Sequence, residues 1–295
     1  MFRRKIFRLK LPSRTLVLGE RTLVMGILNV TPDSFSDGGR YLDADAAAAH
    51  ALEMERAGAH LIDIGGESTR PGSMGISAEE EIRRVVPVLE KLRGRIAIPI
   101  SVDTAKSEVA AAAADAGAEI VNDVTALRSD PALAAVAARR RLPLILMHMR
   151  GQPRTMQKAP FARDAVRDVS AGLRRAAALA RRAGVAKSQI VLDPGIGFGK
   201  SWAQNFDLLA RLPELARLGY PLLVGTSRKA FLSRAIDPTK GVTADKRVWG
   251  TAATVAAAIL GGAHIVRVHD VAEMAEVARV ADALVNPKLR PPQIR

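Results

Sequence analysis

One unit recurs along the whole chain and narrows what it can fold into: a short apolar run, a loop of glycines, hydroxyls and carboxylates, then an alanine-rich segment. The first copy is the clearest. Leu23 to Leu28 is continuously apolar, and Asn29-Val-Thr-Pro-Asp-Ser-Phe-Ser-Asp-Gly-Gly39 follows. An apolar run without alternation fits a strand covered on both faces, as in a parallel sheet. A strand that ends in polar, glycine-flanked sequence is where parallel α/β proteins place ligands.

Seven further strands follow the same pattern: Leu61–Ile64, Ile98–Asp103, Glu119–Asp123, Leu142–Met149, Ile190–Asp193, Pro221–Gly225 and His264–His269. Between them lie segments of helix-forming composition. The first runs from residue 44 to 57 and is stopped by Gly58; the second opens on Ser77 and Glu80, a capping-box pattern. The third covers 105–116, and the fourth begins at Asp130-Pro131, with proline at its tolerated first position. Others cover about 162–183, 203–217 and 246–260, and the last runs from Asp270 and Glu273 to about 284. Eight strand-then-helix units, spaced roughly 30–40 residues apart, predict a closed (β/α)8 barrel, the TIM barrel of about 250 residues. A doubly wound open sheet is the runner-up, but it usually has fewer units. Residues 1–21 precede the pattern as a basic N-terminal extension, 22–286 form the barrel, and 287–295 are a tail. There is no linker and no second domain in this pattern.

The core must be built from Ala, Val, Ile and Leu, because 48% of residues are apolar but only 4% are aromatic. The chain has no cysteine, which excludes disulfides, thiolate zinc sites and cysteine nucleophiles. Its net charge of +14 is concentrated at the start, where Arg3, Arg4, Lys5, Arg8, Lys10, Arg14 and Arg21 face only Glu20. The plain reading is a solvated basic surface with frayed ends. A nucleic-acid binder would interleave such charge with aromatics, which is not the case here, so no nucleic-acid partner is expected. Trp249 to Val266 lacks acids, lysine and arginine over 18 residues, but its glycines and His264 fit a buried helix followed by a strand better than a membrane span. Gly19-Glu20-Arg21 interrupts any secretory h-region. A soluble, cytoplasmic protein with no membrane partner is expected.

Barrel ligands sit at the carboxyl ends of the strands. Those ends hold Asn29, Asp63, Asp103, Asn122, His148, Asp193, Lys229 (just past strand seven), Arg267 and His269. Any one of them could cap a helix or hold a loop; as a set they point to a ligand. Side chains alternate along a strand, so Arg267 and His269 share a face. Beyond them the helix opening near Asp270 offers free N–H groups, a credible phosphate or diphosphate site. Asp103, Asn122, Asp193 and Lys229 converge from other strands and suit a flat heterocycle with an amino-oxo edge. Pro194-Gly-Ile-Gly-Phe-Gly-Lys-Ser201 falls short of a P-loop, because Pro194 stands where its first glycine belongs. It reads instead as a permissive loop that brings Phe198 near a ligand. No catalytic triad and no HExxH zinc motif is legible. His50 and His60 read as structural or surface groups, and His148, between Met147 and Met149, as either packed or functional.

Six stretches in the same order resemble the dihydropteroate synthase family: residues 29–39, Asp63-Ile-Gly-Gly-Glu-Ser-Thr-Arg-Pro-Gly72, Ser101-Val-Asp-Thr104, Asp193-Pro-Gly-Ile-Gly-Phe-Gly-Lys200, Gly225-Thr-Ser-Arg-Lys229 and Arg267-Val-His269. The resemblance spans about residues 22–284 and leaves residues 1–20 outside. It implies a TIM barrel, usually a homodimer, that condenses 6-hydroxymethyl-7,8-dihydropterin diphosphate with p-aminobenzoate in folate biosynthesis, with Mg²⁺, and that is the target of sulfonamides. Carried over by motif, Asp103, Asn122, Asp193 and Lys229 would hold the pterin, with Met147 and Phe198 against its faces. Asn29, Thr69, Arg70, Arg267 and His269 would meet the diphosphate, and Asn29 the Mg²⁺. Phe35, Asp37, Arg70 and Pro71 from the first two loops would complete the p-aminobenzoate pocket with Phe198, Ser227 and Lys229. The catalytic set implied is Asp103, Lys229, Arg267 and His269. A pterin-binding methyltransferase barrel is the nearest rival; it would share the floor residues but would not need Thr69-Arg70 or Arg267-x-His269.

Overall fold

The computed structural model describes residues 4–31, 44–68, 73, 75–151 and 163–287. A hairpin of β1 (Phe7–Lys10) and β2 (Thr15–Leu18) comes first. The repeating unit then gives β3 (Leu23–Asn29), α1 (Ala44–Arg56), β4 (Leu61–Gly65), α2 (Ala78–Leu92), β5 (Ile100–Asp103) and α3 (Ser107–Ala116). It continues with β6 (Ile120–Asp123), α4 (Ala132–Arg140), β7 (Leu144–Met147), α5 (Ala165–Arg182) and β8 (Ile190–Asp193). The last part holds α6 (Trp202–Ala210), α7 (Leu212–Ala216), β9 (Leu223–Val224), α8 (Ser233–Ile236), α9 (Val248–Leu260), β10 (Ile265–Val268) and α10 (Val271–Val285).

The eight strands β3 to β10 are all parallel and run in the order β8-β7-β6-β5-β4-β3-β10-β9. A bridge between Leu192 and Leu222 joins β8 to β9 and completes the expected (β/α)8 barrel. Val24, Ile62, Val102, Val121, Leu146, Leu192, Val224 and Val266 face outward and are buried under the helices. Gly26 permits close packing on that outer side, since a β-carbon there would strike the Met54 sulfur at 2.7 Å. Among the described residues no helix is long and apolar enough to cross a membrane. The uncharged stretch 249–266 resolves into α9 and β10, as its composition suggests.

Three local expectations differ from the structure. The helix expected over 203–217 is split at Arg211, because Pro213 in the first turn of α7 cannot donate the bond that would continue α6. Ser77 caps α2 by accepting from the Glu80 N–H at 3.2 Å, but the Glu80 carboxylate turns to Arg84 and Arg83. The reciprocal capping box is found instead at Ser201 and Gln204, ahead of α6.

The third difference lies in the N-terminus: Lys5, Arg8, Lys10, Arg14 and Arg21 are exposed, as expected, but residues 7–18 form a hairpin rather than a frayed end. Leu9, Leu11 and Leu18 of the hairpin are buried against Met25, Leu61, Ile120, Ile145, Val191, Leu223 and Ile265, the lowest inward residues of seven barrel strands. The hairpin therefore plugs the amino-terminal mouth, and each buried leucine is worth about 1.5–3 kcal/mol. Arg4 goes inward too: it donates to Asp282 at 2.5 Å, to Thr22 Oγ1 at 2.6 Å and to the Ala263 carbonyl at 3.1 Å. Thr22 closes the cluster, donating to Asp282 from its N–H at 2.6 Å and its hydroxyl at 2.7 Å. Replacing Asp282 with alanine would leave a buried guanidinium unpaired and should lower stability by about 3–5 kcal/mol. A urea titration would read this as a lower midpoint at unchanged slope; an unmoved midpoint would mean that the tie to α10 contributes nothing.

Candidate active site

Inward positions two residues apart form layers inside the barrel. The layer touching the hairpin plug is apolar. One step up the same strands, Leu61 is followed by Asp63, Ile120 by Asn122, Ile145 by Met147, Val191 by Asp193 and Ile265 by Arg267. The interior thus changes from hydrocarbon to hydrogen-bonding groups within one pleat. A cavity of about 60 Å³ opens there, with Asp103, Asn122, Asp193, Lys229, Arg267 and His269 as polar walls and Ile27, Val124, Met147 and Phe198 as apolar ones. Gly225 and Ser227 complete it.

Arg267, Asp103 and Asn122 form one network through Asp63. The Arg267 Nε donates to Asp63 at 2.6 Å and its Nη2 to Asp103 at 2.8 Å. Asp63 has no solvent exposure and also accepts from the Asn122 amide nitrogen at 2.8 Å. That bond decides which way the Asn122 amide points: the NH₂ faces Asp63, and its buried oxygen has no partner among the described atoms. An unpaired buried acceptor is costly, and the second Asp63 oxygen is likewise left without a partner among the described atoms. Sequence reading found Asp63 at a strand end but gave it no role; the only signal was that it lies one pleat step below the loop residues.

Burial raises the Asp103 carboxyl, with Arg267 working in the opposite direction. Burial raises Asp193 as well, against Lys229 and the Gly195 N–H, which donates to it at 2.7 Å. Burial pushes the Lys229 ammonium down to about 8, against the pull of Asp193. For Arg267, burial is outweighed by Asp63 and Asp103, and its pKa rises further above the ordinary range. Lys229 also donates to the Ile196 carbonyl and lies 4.3 Å from the centre of the Phe198 ring. Arg267 is thus paired with two carboxylates, whereas Lys229 and Asp193 hydrogen-bond to backbone groups.

The loop after β8 is shaped by its glycines, as expected. Gly195 and Gly197 have φ of 63° and 87°; a β-carbon at Gly195 would run into the His148 carbonyl, and one at Gly197 would meet the Lys229 side chain at 2.8 Å. Lys200, which makes the stretch look like a failed P-loop, holds the loop shut from inside. Its ammonium donates to the carbonyls of His148, Gly195 and Phe198 at 3.1, 2.9 and 3.0 Å, so all three donors are used. Burial lowers its pKa to about 7. Phe198 packs with Val124, Met147 and Met149, giving the cavity an apolar wall beside its polar floor.

Of the residues singled out by sequence, Asp103, Asn122, Met147, Asp193, Phe198, Ser227, Lys229, Arg267 and His269 all line this one cavity. Asn29 ends β3 beside Gly65 and does not border it. Phe35, Asp37, Thr69, Arg70 and Pro71 lie outside the described residues. The Ser227 hydroxyl accepts the His269 N–H at 3.1 Å and faces its Nδ1 at 3.0 Å, fixing the ring. His148 resolves as packed: it sits against Gly172, 3.4 Å from Asp168, and burial lowers it to about 3. It lines a larger cavity of about 510 Å³ beside α5, together with Arg150, Asp168 and Met149. Size does not make that cavity the site, because of the strand-end groups only Met147 and His148 reach it.

The geometry therefore offers carboxylate and amide acceptors and a lysine donor around one slot with an apolar wall of Met147 and Phe198, with an arginine and a histidine also lining it. Such a slot suits an amino-oxo heterocycle carrying an anionic group. The family model of pterin binding enzymes matches residues 25–269. Dihydropteroate synthase of Synechocystis sp. is 51% identical over 266 residues, covering 90% of this chain and 91% of the relative. The Xanthomonas albilineans dihydropteroate synthase, solved with 4-aminobenzoic acid, superposes with a TM-score of 0.88 at 44% identity, covering 97% of this chain and all of that one. The same Xanthomonas enzyme has been solved in complex with 7,8-dihydropteroate. The Yersinia pestis dihydropteroate synthase, in a sulfonamide drug complex, superposes at 0.87 with 46% identity, covering 94% and 99% of the two chains. A barrel with this slot, matched along nine-tenths of its length by these proteins, belongs to the pterin binding enzyme family, among the dihydropteroate synthases.

Proposed function

We propose that the cavity takes 6-hydroxymethyl-7,8-dihydropterin diphosphate and joins its methylene carbon to the amine of p-aminobenzoate, giving 7,8-dihydropteroate and diphosphate. The observation that carries this reading is the convergence of Asp103, Asn122, Asp193 and Lys229 on one slot that Arg267 and His269 also line. Asp193 and the Asn122 oxygen would accept from the pterin's ring N–H and NH₂ groups, and Lys229 would donate to its carbonyl oxygen. Met147 and Phe198 would cover its faces.

An arylamine is a weak nucleophile, so the residues should act on the leaving group. The methylene C–O bond breaks with its electron pair going to diphosphate. Arg267 and His269 stabilise the charge that develops there. The methylene cation left behind is stabilised by the electron-rich ring and by the nearby Asp103 carboxylate, after which the arylamine nitrogen adds and releases a proton. No protein nucleophile is needed. Thr69 and Arg70 of the second loop would join the diphosphate contacts, and Phe35, Asp37, Arg70 and Pro71 would close the p-aminobenzoate side with Ser227, keeping water from the cation.

Among the described residues no cluster of three or more His, Asp or Glu could hold a metal alone. Asn29, at the end of β3, offers one amide oxygen, the kind of single protein ligand Mg²⁺ accepts when substrate phosphates and water fill its other positions. Bound there, Mg²⁺ would supply charge neutralisation on the diphosphate. A second copy of the chain would find exposed apolar side chains at Trp249 on α9 and at Val280 and Leu284 on the adjoining α10. A cytoplasmic homodimer is the form proposed, with its mass in solution as the check.

Purified protein given the pterin diphosphate, labelled p-aminobenzoate and Mg²⁺ should form dihydropteroate; no product would end the proposal. Lys229→Ala and Arg267→Ala each remove a charged hydrogen bond worth about 1.5–3 kcal/mol and should lower turnover about ten-fold or more. Near-normal rates in both would sink the role assignments. Because Lys229 is charged below about 8, kcat/KM for the pterin diphosphate should fall as pH rises through that value. In Lys229→Arg the guanidinium keeps its charge, so that alkaline limb should vanish; a limb unchanged in position would assign it to another group.

A further inference from the structure

Ser227 and Lys229 both reach the cavity, and the residue between them does not. Arg228 has φ of 56°, in the left-handed region that side chains other than glycine seldom adopt. The Lys229 N–H donates to the Thr226 carbonyl at 3.3 Å, so residues 226–229 form a four-residue turn with Arg228 at its third position. Turns with positive φ at that position ordinarily place glycine there. Here an arginine is held by partners from three other places. Its N–H donates to Thr251 Oγ1 of α9 at 3.1 Å, and its carbonyl accepts from Arg247, just ahead of α9, at 2.8 Å. Its guanidinium donates to both carboxylate oxygens of Asp270, which directly precedes α10. Asp270 stands where a helix cap would, yet makes no side-chain cap bond to α10.

We propose that Arg228 is a positioning residue: pinned to Asp270, Thr251 and Arg247, it maintains the left-handed turn that aims Lys229 and Ser227 into the slot and keeps them in register with His269. The inference deepens the proposed function and rests on it only for its kinetic arm. Ser227 touches His269 and Asp270 follows His269 directly, so the Arg228–Asp270 pair ties the end of β9 to the end of β10. Glycine at 228 would adopt the turn without strain but could not anchor it; lysine would keep the charge but lose the two-pronged grip.

The test uses the full chain with Arg228→Ala, Arg228→Gly, Arg228→Lys and Asp270→Asn. Lys229 is titrated by NMR in ¹⁵N-lysine-labelled protein, assigned with Lys229→Met, and kcat and KM are measured alongside melting temperature. Arg228→Ala should raise the Lys229 titration by about one unit, as the ammonium leaves its buried place. It should also lower kcat/KM for the pterin diphosphate about ten-fold, with Asp270→Asn adding little on top, as for two residues acting as one unit. Arg228→Gly should fall between wild type and Arg228→Ala, and it gives the same readouts if the alanine variant does not fold. A Lys229 titration that stays in place with kcat/KM within two-fold, while only the melting temperature falls, would overturn the proposal. If the wild type makes no dihydropteroate, the functional reading fails by itself, and the titration still decides the role of Arg228.

Discussion

A single guanidinium set between two carboxylates organises this barrel. Arg267 projects inward from β10 into a largely buried space, where an unpaired charge would cost several kcal/mol. Asp63 and Asp103, from two neighbouring strands, supply the counter-charge, and Asp63 in turn orients the Asn122 amide. Remove Arg267 and both carboxylates lose their buried counter-charge. Because strands supply these groups, their spacing is set by the ladder of backbone hydrogen bonds, and the site inherits the rigidity of the sheet.

The two ends of the barrel solve opposite problems. At the amino-terminal mouth the inward side chains are hydrocarbon, and three hairpin leucines cover them. At the carboxyl-terminal mouth they are charged or amide groups that pair with one another around a small cavity. The loop after β8 is held by glycines that let it approach the His148 and Arg150 carbonyls and by Lys200, whose ammonium caps three carbonyls from within. A substrate competing for these groups would exchange internal bonds for its own, which favours a ligand that matches donors and acceptors closely over one that is merely apolar.

The barrel itself was legible because its signal is local and repeated: apolar run, polar loop, alanine-rich helix, eight times over. Parity along β10 likewise places Arg267 and His269 together from sequence. What stayed hidden depends on partners far away in the chain. Asp63 could be seen, but its role needed Arg267, which lies 204 positions later. Lys200 looked like part of a broken phosphate motif because its acceptors are carbonyls, which every residue carries. Most of the N-terminal charge is solvated, as charge runs usually are, but nothing near Arg4 announces Asp282, 278 positions away.

Sequence alone determined the strand-and-helix repeat, the family motifs and the types of group gathered at the strand ends, since each follows from neighbours within a few residues. Tertiary structure alone decided which of those groups bond one another and that a charged hairpin becomes a plug. These depend on register and barrel closure, which bring residues from distant parts of the chain within hydrogen-bonding range and remove the water that would otherwise satisfy them.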